Sequence, residues 1–303
     1  MAGRRLTFVA AGRSSDVATS AEQFDLPSPA DAPVPLAVEF EHVSLAFDEQ
    51  EVLRDLSFTI PIGAMRFLLG VSGSGKSVIL KLILGLLRPD AGTIRVNGER
   101  VDNMAERELL RVRTGIGMVF QENALFDSLT VAENVGFGLA DRADVTADEL
   151  RQRVDEVLGF IGMSEYVDRM PSELSGGQRR RVGIARAMAP APRLLLFDDP
   201  ITGLDPVIAM AVDAEIIKLR DLEHVTSLVA THQIRDAFYV ARHQAVRDGD
   251  EVVLAPADAA TSALAEFMLL RDGRVHFSGS ADEILASTDP YVQEYLLNTL
   301  PPW

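Results

Sequence analysis

The segment GVSGSGKS, Gly70 to Ser77, sets glycines, serines and a lysine between an apolar stretch and an amphipathic one. Gly70, Gly73 and Gly75 let a backbone turn tightly and aim its N–H groups at one point. Ser72 and Ser74 fall inside the same turn. A helix opening at Lys76 adds its positive end. An anion gathered there meets the Lys76 ammonium at its β- and γ-phosphates, and the Ser77 hydroxyl can ligate an accompanying Mg²⁺. Every position fits a phosphate-binding loop in its strand-to-helix slot, so the predicted chemistry is nucleotide binding. Further along, LLLFDDPITGLDP runs from Leu194 to Pro206. Asp198, ending an apolar run, can hold the Mg²⁺ shell beside such a loop. LSGGQ, Leu174 to Gln178, offers a second anion site. Ser175 is a good helix N-cap, and Gly176 and Gly177 leave N–H groups open at the helix start.

These groups need elements to position them. LAVEFEHVSLAF nearly alternates its apolar residues Val38, Phe40, Val43, Leu45 and Phe47, which predicts a strand. VLRDLSFTI and AMRFLLG follow as strands around a turn at 61–63. Ile79, Leu80, Ile83, Leu84 and Leu87 recur at helical spacing after Lys76. Residues from about 121 to 180 read as helical. A strand at 193–198, a helix at 206–222, a strand at 226–231 and a helix at 233–242 come next. EFMLLRDGRVHFSG predicts two strands around an Asp-Gly turn, and DPYVQEYLLNTLPPW a short helix and tail. The alternation predicts an α/β fold with a mainly parallel core sheet and ligands at the carboxyl ends of its strands.

Residues 1–35 are rich in Ala, Ser, Asp and Pro without a period and read as a flexible N-terminal tail. Residues 36–288 read as one domain and 289–303 as a C-terminal helix and tail. The net charge of −16, from 29 basic and 45 acidic residues, disfavours nucleic acid as a partner. The absence of cysteine excludes disulfides and thiolate metal sites. The longest apolar run, VILKLILGLL, is too short to span a bilayer and is broken by Lys81. MAGRRLTFVAAGR meets Gly12 and Arg13 too soon for a signal peptide. The chain is expected to be soluble, with any membrane role taken from a partner.

On the phosphate loop, the LSGGQ signature and Asp198 together, the sequence resembles the ATP-binding-cassette (ABC) ATPases over about residues 36–298. The resemblance implies a P-loop NTPase fold with an antiparallel β subdomain and a helical signature subdomain, and ATP and Mg²⁺ as cofactors. It implies that Phe47 stacks on adenine. It makes Gln121, ending the strand GIGMVF, the Q-loop glutamine of metal and reaction centre. Asp205 in GLDP (203–206) becomes the D-loop aspartate and His232 the switch histidine. In this family the signature of one subunit closes over the nucleotide of another, which implies a homodimer whose opening and closing drives a transmembrane permease.

Three stretches, ALFDSLTVAENV, MPSELSGGQRRRVGIARA and DPYVQEYL, resemble the ATPases of MCE/Mla-type lipid transporters. That implies a lipid cargo, an MCE-domain lipid-binding partner and a peripheral seat on the cytoplasmic face of a bacterial inner membrane. An importer of amino acids or other small solutes is the alternative. A soluble, non-transport member fits less well, because there is one cassette, an acidic balance and no heptad array.

Two departures stand out. The family passes quickly from the switch histidine into a strand, whereas about twenty residues, 243–265, intervene here and are expected as a surface hairpin or loop. Asp199 stands where the family usually has the catalytic Glu. Its carboxylate stops short by about 1.5 Å, and a misplacement of about 1 Å can cost on the order of a hundredfold in rate. The resemblance therefore implies a working but slow ATPase.

Overall fold

The computed structural model describes residues 34–300 apart from 123, 141 and 250. The expected N-terminal tail, up to residue 33, and the last three residues with Trp303 lie outside the described residues. The strands are β1 (Leu36–Phe47), β2 (Gln50–Pro61), β3 (Met65–Leu69), β4 (Ala91–Val96), β5 (Glu99–Arg100), β6 (Ile116–Val119), β7 (Leu194–Asp198), β8 (Thr226–Thr231), β9 (His243–Asp248), β10 (Glu251–Pro256), β11 (Ala265–Arg271) and β12 (Arg274–Gly279). The helices are α1 (Lys76–Ile83), α2 (Glu106–Arg113), α3 (Val131–Ala140), α4 (Ala147–Phe160), α5 (Gly176–Met188), α6 (Pro206–Leu222), α7 (Ile234–Arg242), α8 (Ala259–Ser262), α9 (Ala281–Ala286) and α10 (Pro290–Thr299).

The main sheet has the order β12-β11-β3-β8-β7-β6. Its five strands from β11 to β6 are parallel, and β12 closes one edge antiparallel. A strand buried on both faces sends alternate residues to opposite sides. Leu195 and Phe197 of β7 enter the core beneath the helices, while Leu194 and Leu196 enter the other. That second core is closed by α1 and by an antiparallel sheet of order β2-β1-β4-β5. The helical region resolves into α3, α4 and α5 with two short 3-10 turns. β4, β5 and α2 were not foreseen in the sequence.

β9 and β10 pair as an antiparallel hairpin, followed by the single turn of α8. Arg220 anchors the hairpin. Its buried guanidinium donates to the carbonyls of Val240 and His243 and pairs with Asp221, which accepts from the Ala245 amide at 2.7 Å.

Register sets the site. Leu69 at the end of β3 lies beside Thr231 of β8, and Asp198 of β7 lies beside Ala230. Three adjacent parallel strands therefore end at one level. β6 ends one strand further out, where Val119 pairs with Phe197 and leads into Phe120 and Gln121.

Candidate functional site

Residues 70–77 leave β3 and turn into α1. Gly75 caps the helix with φ +100°, a conformation a side chain resists, and a Cβ there would crowd Leu53. Lys76 is buried, and its ammonium donates to the carbonyls of Gly70 at 2.7 Å and Val71 at 3.2 Å. Burial pulls the Lys76 pKa down, while the charges of Asp199 and Asp198 pull it back up. Ser77 Oγ donates to Asp198 Oδ1 at 2.9 Å. Burial pushes the Asp198 carboxyl above the usual range, opposed by that hydroxyl and reinforced by neighbouring Asp199.

The two aspartates diverge because the chain reverses between them. Asp199 has φ +45°, a left-handed conformation that Asp tolerates better than most residues. Its amide donates to the Ala230 carbonyl at 2.8 Å. Its Oδ1 accepts from the His232 amide at 3.2 Å and meets His232 Nδ1 at 2.9 Å. An ionised carboxylate only accepts, so Nδ1 is the donor, and Nε2 of a neutral imidazole is left as an acceptor.

Lys76, Ser77, Asp198, Asp199 and His232 thus meet at the ends of β3, β7 and β8. The other predicted residues stand apart from them. Gln121 is exposed in the loop after β6. Phe47 is 44% exposed at the turn from β1 to β2. A cavity of about 540 Å³ is lined by Val71, Ser72, Gly73 and Ser74 together with Gln50, Arg271 and Tyr291, and Phe47 is not among its lining residues.

The signature residues make local bonds. Ser175 Oγ accepts from the Gln178 amide, and Gln178 Oε1 accepts from the Ser175 amide at 2.8 Å, a reciprocal cap on α5. Asp205 caps α6 by accepting from the amides of Val207 and Ile208. Gly177 has a packing reason beyond an open N–H, since a Cβ there would fall 2.0 Å from Ile208 Cγ2. Gly176 has no such crowding, its nearest neighbour being Leu204 Cδ2 at 3.8 Å.

Sequence reasoning missed three residues. Asn134 is fully buried in α3 and ties down the preceding loop. Its Nδ2 donates to the carbonyls of Phe126, Leu129 and Thr130, and its Oδ1 accepts from the Phe126 amide at 2.8 Å. The signal was an amide side chain inside the apolar run VAENVGF. Tyr295 of α10 buries its hydroxyl against the Gly70 backbone, without a hydrogen bond of ordinary geometry, and burial pushes it up to about 12. No local pattern ties residue 295 to residue 70. The third is Arg180, inside the basic run that follows the signature.

The chain matches the family described as "ABC transporter" over residues 53–202. It is 35% identical over 269 residues to a sulfate/thiosulfate import ATP-binding protein, CysA, of Synechocystis sp., covering 88% of this chain and 68% of the relative. A probable ribonucleotide transport ATP-binding protein, mkl, of Mycobacterium bovis is 33% identical, with 87% and 67% covered. Among solved structures, the dimeric post-hydrolysis state of the ATP-binding cassette MJ0796 bound to ADP and Pi is 27% identical. It superposes with a TM-score of 0.64, covering 80% of this chain and 98% of that one.

Proposed function

The chain belongs to the ABC transporter family, as an ATP-binding subunit and an ATPase, and on that footing we propose that it drives lipid transport through a separate permease in an MCE-type system. The observation that carries the site is the meeting of the Lys76 cradle, the Ser77–Asp198 pair and the Asp199–His232 pair at three neighbouring strand ends. Lys76 neutralises the β- and γ-phosphates of ATP, with the loop amides of residues 70–77 around them. Asp199 polarises the attacking water, and His232 fixes the direction of that carboxylate.

Ser77 and Asp198 fit Mg²⁺. They are hard oxygen donors in hydrogen-bond contact, and Mg²⁺ takes one or two protein oxygens and fills the rest of its shell from phosphate and water. Among the described residues no cluster of three or more His, Cys, Asp or Glu competes as a metal site. When bound, the ion would neutralise charge on the phosphates, and Gln121, exposed in the loop after β6, would be its further protein oxygen.

The second anion site serves a partner copy. Ser175 and Gln178 spend their side chains on each other's amides, and the uncrowded Gly176 at the start of α5 is the residue left to meet a nucleotide held by another subunit. The dimeric state of the solved relative supports this reading.

The permease meets the groove beside Gln121. About 490 Å³ of space there is walled by Phe120, Phe126 and Phe137, all exposed by 41% or more. Phe126 and Phe137 stand 4.4 Å apart, and Arg186 lies over the Phe126 ring. A short helix of the permease fits such a groove. No helix of the described residues is long and apolar enough to cross a membrane, which agrees with a peripheral seat on the cytoplasmic face of the inner membrane. The lipid cargo rests on the wording of ALFDSLTVAENV and its companion stretches. The names of the relatives favour a second reading, import of a small polar solute such as sulfate.

Lys76→Ala is expected to abolish Mg-ATP binding, measured by equilibrium titration, and persistent tight binding would overturn the site. Copurification with the permease, followed by mass spectrometry of the extract, decides the cargo. Bound phospholipid supports the first reading, and a lipid-free complex with a small-solute-binding partner supports the second.

A further inference from the structure

The signature is followed by three arginines, and their environments differ. Arg179 donates to the carbonyl of Leu174 within its own segment, and Arg181 reaches the Ile161 carbonyl at 3.3 Å. Arg180 is only 2% exposed. Its Nη1 donates to the carbonyl of Phe120 and its Nη2 to that of Gln121, sixty residues back in the chain. Its Nε is buried without a hydrogen-bond partner. No carboxylate of the described residues forms an ion pair with it; burial weakens its charged form, and Asp199 is the carboxylate whose charge favours it.

A buried, unpaired guanidinium is an expensive way to fill space. Apolar residues of similar volume generally do that better. What an arginine supplies is a planar fork able to grip two successive carbonyls, which a lysine cannot reproduce. The gripped residues are telling. Phe120 exposes its ring in the groove proposed for the permease, Gln121 is the residue the proposed function assigns to the metal, and Arg180 itself stands two residues beyond the signature on the same helix.

We propose that Arg180 is a positioning residue for ATP hydrolysis, fastening the Q-loop backbone to the signature helix so that Gln121 is held in place for chemistry. The inference rests on the ATPase reading above and deepens it. Arg180 spends both Nη groups on the Phe120 and Gln121 carbonyls. It acts through Gln121, and its loss therefore falls on turnover, because the phosphate cradle at 70–77 is built by other residues.

The test uses the purified full chain. Arg180→Met keeps the length and removes the fork. Arg180→Lys keeps the charge and replaces the fork by a point donor. For each, kcat and KM for Mg-ATP, the affinity for a fluorescent ATP analogue and the unfolding midpoint are measured. Arg180→Met is expected to lower kcat by about tenfold or more while KM and analogue affinity stay within about threefold, with Arg180→Lys in between. Unchanged kcat in a folded Arg180→Met protein overturns the proposal, as does a loss of analogue affinity as large as the loss of kcat. If Arg180→Met fails to fold, Arg180→Lys decides: full kcat overturns the proposal, and a folded protein with reduced kcat and intact affinity supports it. Lys76→Ala measured in parallel separates the two ideas. If it binds ATP like the wild type, the site reading fails first.

Discussion

Asp198 and Asp199 show how much one backbone dihedral decides. The left-handed turn at Asp199 sends one carboxylate to Ser77 and the next to His232. Asp199 is therefore oriented by its partner, and the slow turnover proposed for it is a matter of reach. Asp199→Glu is expected to raise kcat by moving the carboxylate forward about 1.5 Å. It should also lower stability by about 1 kcal/mol, since Glu resists the left-handed conformation more than Asp. Steady-state kinetics together with a melting curve check both, and equal or lower kcat in a folded variant would sink the reach argument. Lys76 shows the same dependence on surroundings, being charged beside two carboxylates yet desolvated by its own loop.

At the scale of elements, α3 is the instructive case. Its stretch reads only as helical in sequence, but Asn134 makes it an anchor for the loop that presents Phe126. Truncating such a residue strands several buried backbone groups at once. Asn134→Ala is expected to lose about 1–3 kcal/mol of stability and to weaken copurification with the permease, while Mg-ATP affinity of the folded fraction stays as in the wild type. Chemical denaturation and a pull-down check the two halves. A fully retained complex would show that the groove beside Phe126 is not the docking face.

For the whole molecule, the packing of α6 on α7 sets a pH dependence. Asp213 of α6 is almost fully buried, one of its oxygens lacks a hydrogen bond, and burial pushes its pKa up to about 8, with Asp236 adding repulsion. A raised carboxyl pKa favours the protonated folded state. Its contribution to stability is complete below the unfolded value near 4 and is lost as pH rises toward 8. Asp213→Asn keeps a neutral group there. It is expected to flatten the fall in melting temperature between about pH 4 and pH 8, with a gain on the order of 1 kcal/mol or more at pH 8. Parallel pH slopes for variant and wild type would refute this.

The sequence by itself determined the cradle, the signature and the strand–helix alternation. These are local: glycine where φ must be positive, capping residues at helix starts, and apolar periods of two and near four. Only the tertiary structure decided which distant groups meet. Strand register set Asp198 and His232 beside the loop after β3, helix packing made Gly177 a contact with Ile208, and burial gave Arg180 the Q-loop carbonyls. β4 and β5 escaped the sequence reading because AGTIRV and ER have little pattern of their own and become strands by pairing with β1 and each other. The hairpin of β9 and β10 was expected in outline, as a surface hairpin or loop, but its anchor was not, since Arg220 lies in an earlier helix. Local preferences are written along the chain, whereas contacts between distant residues depend on the order in which the strands lie side by side.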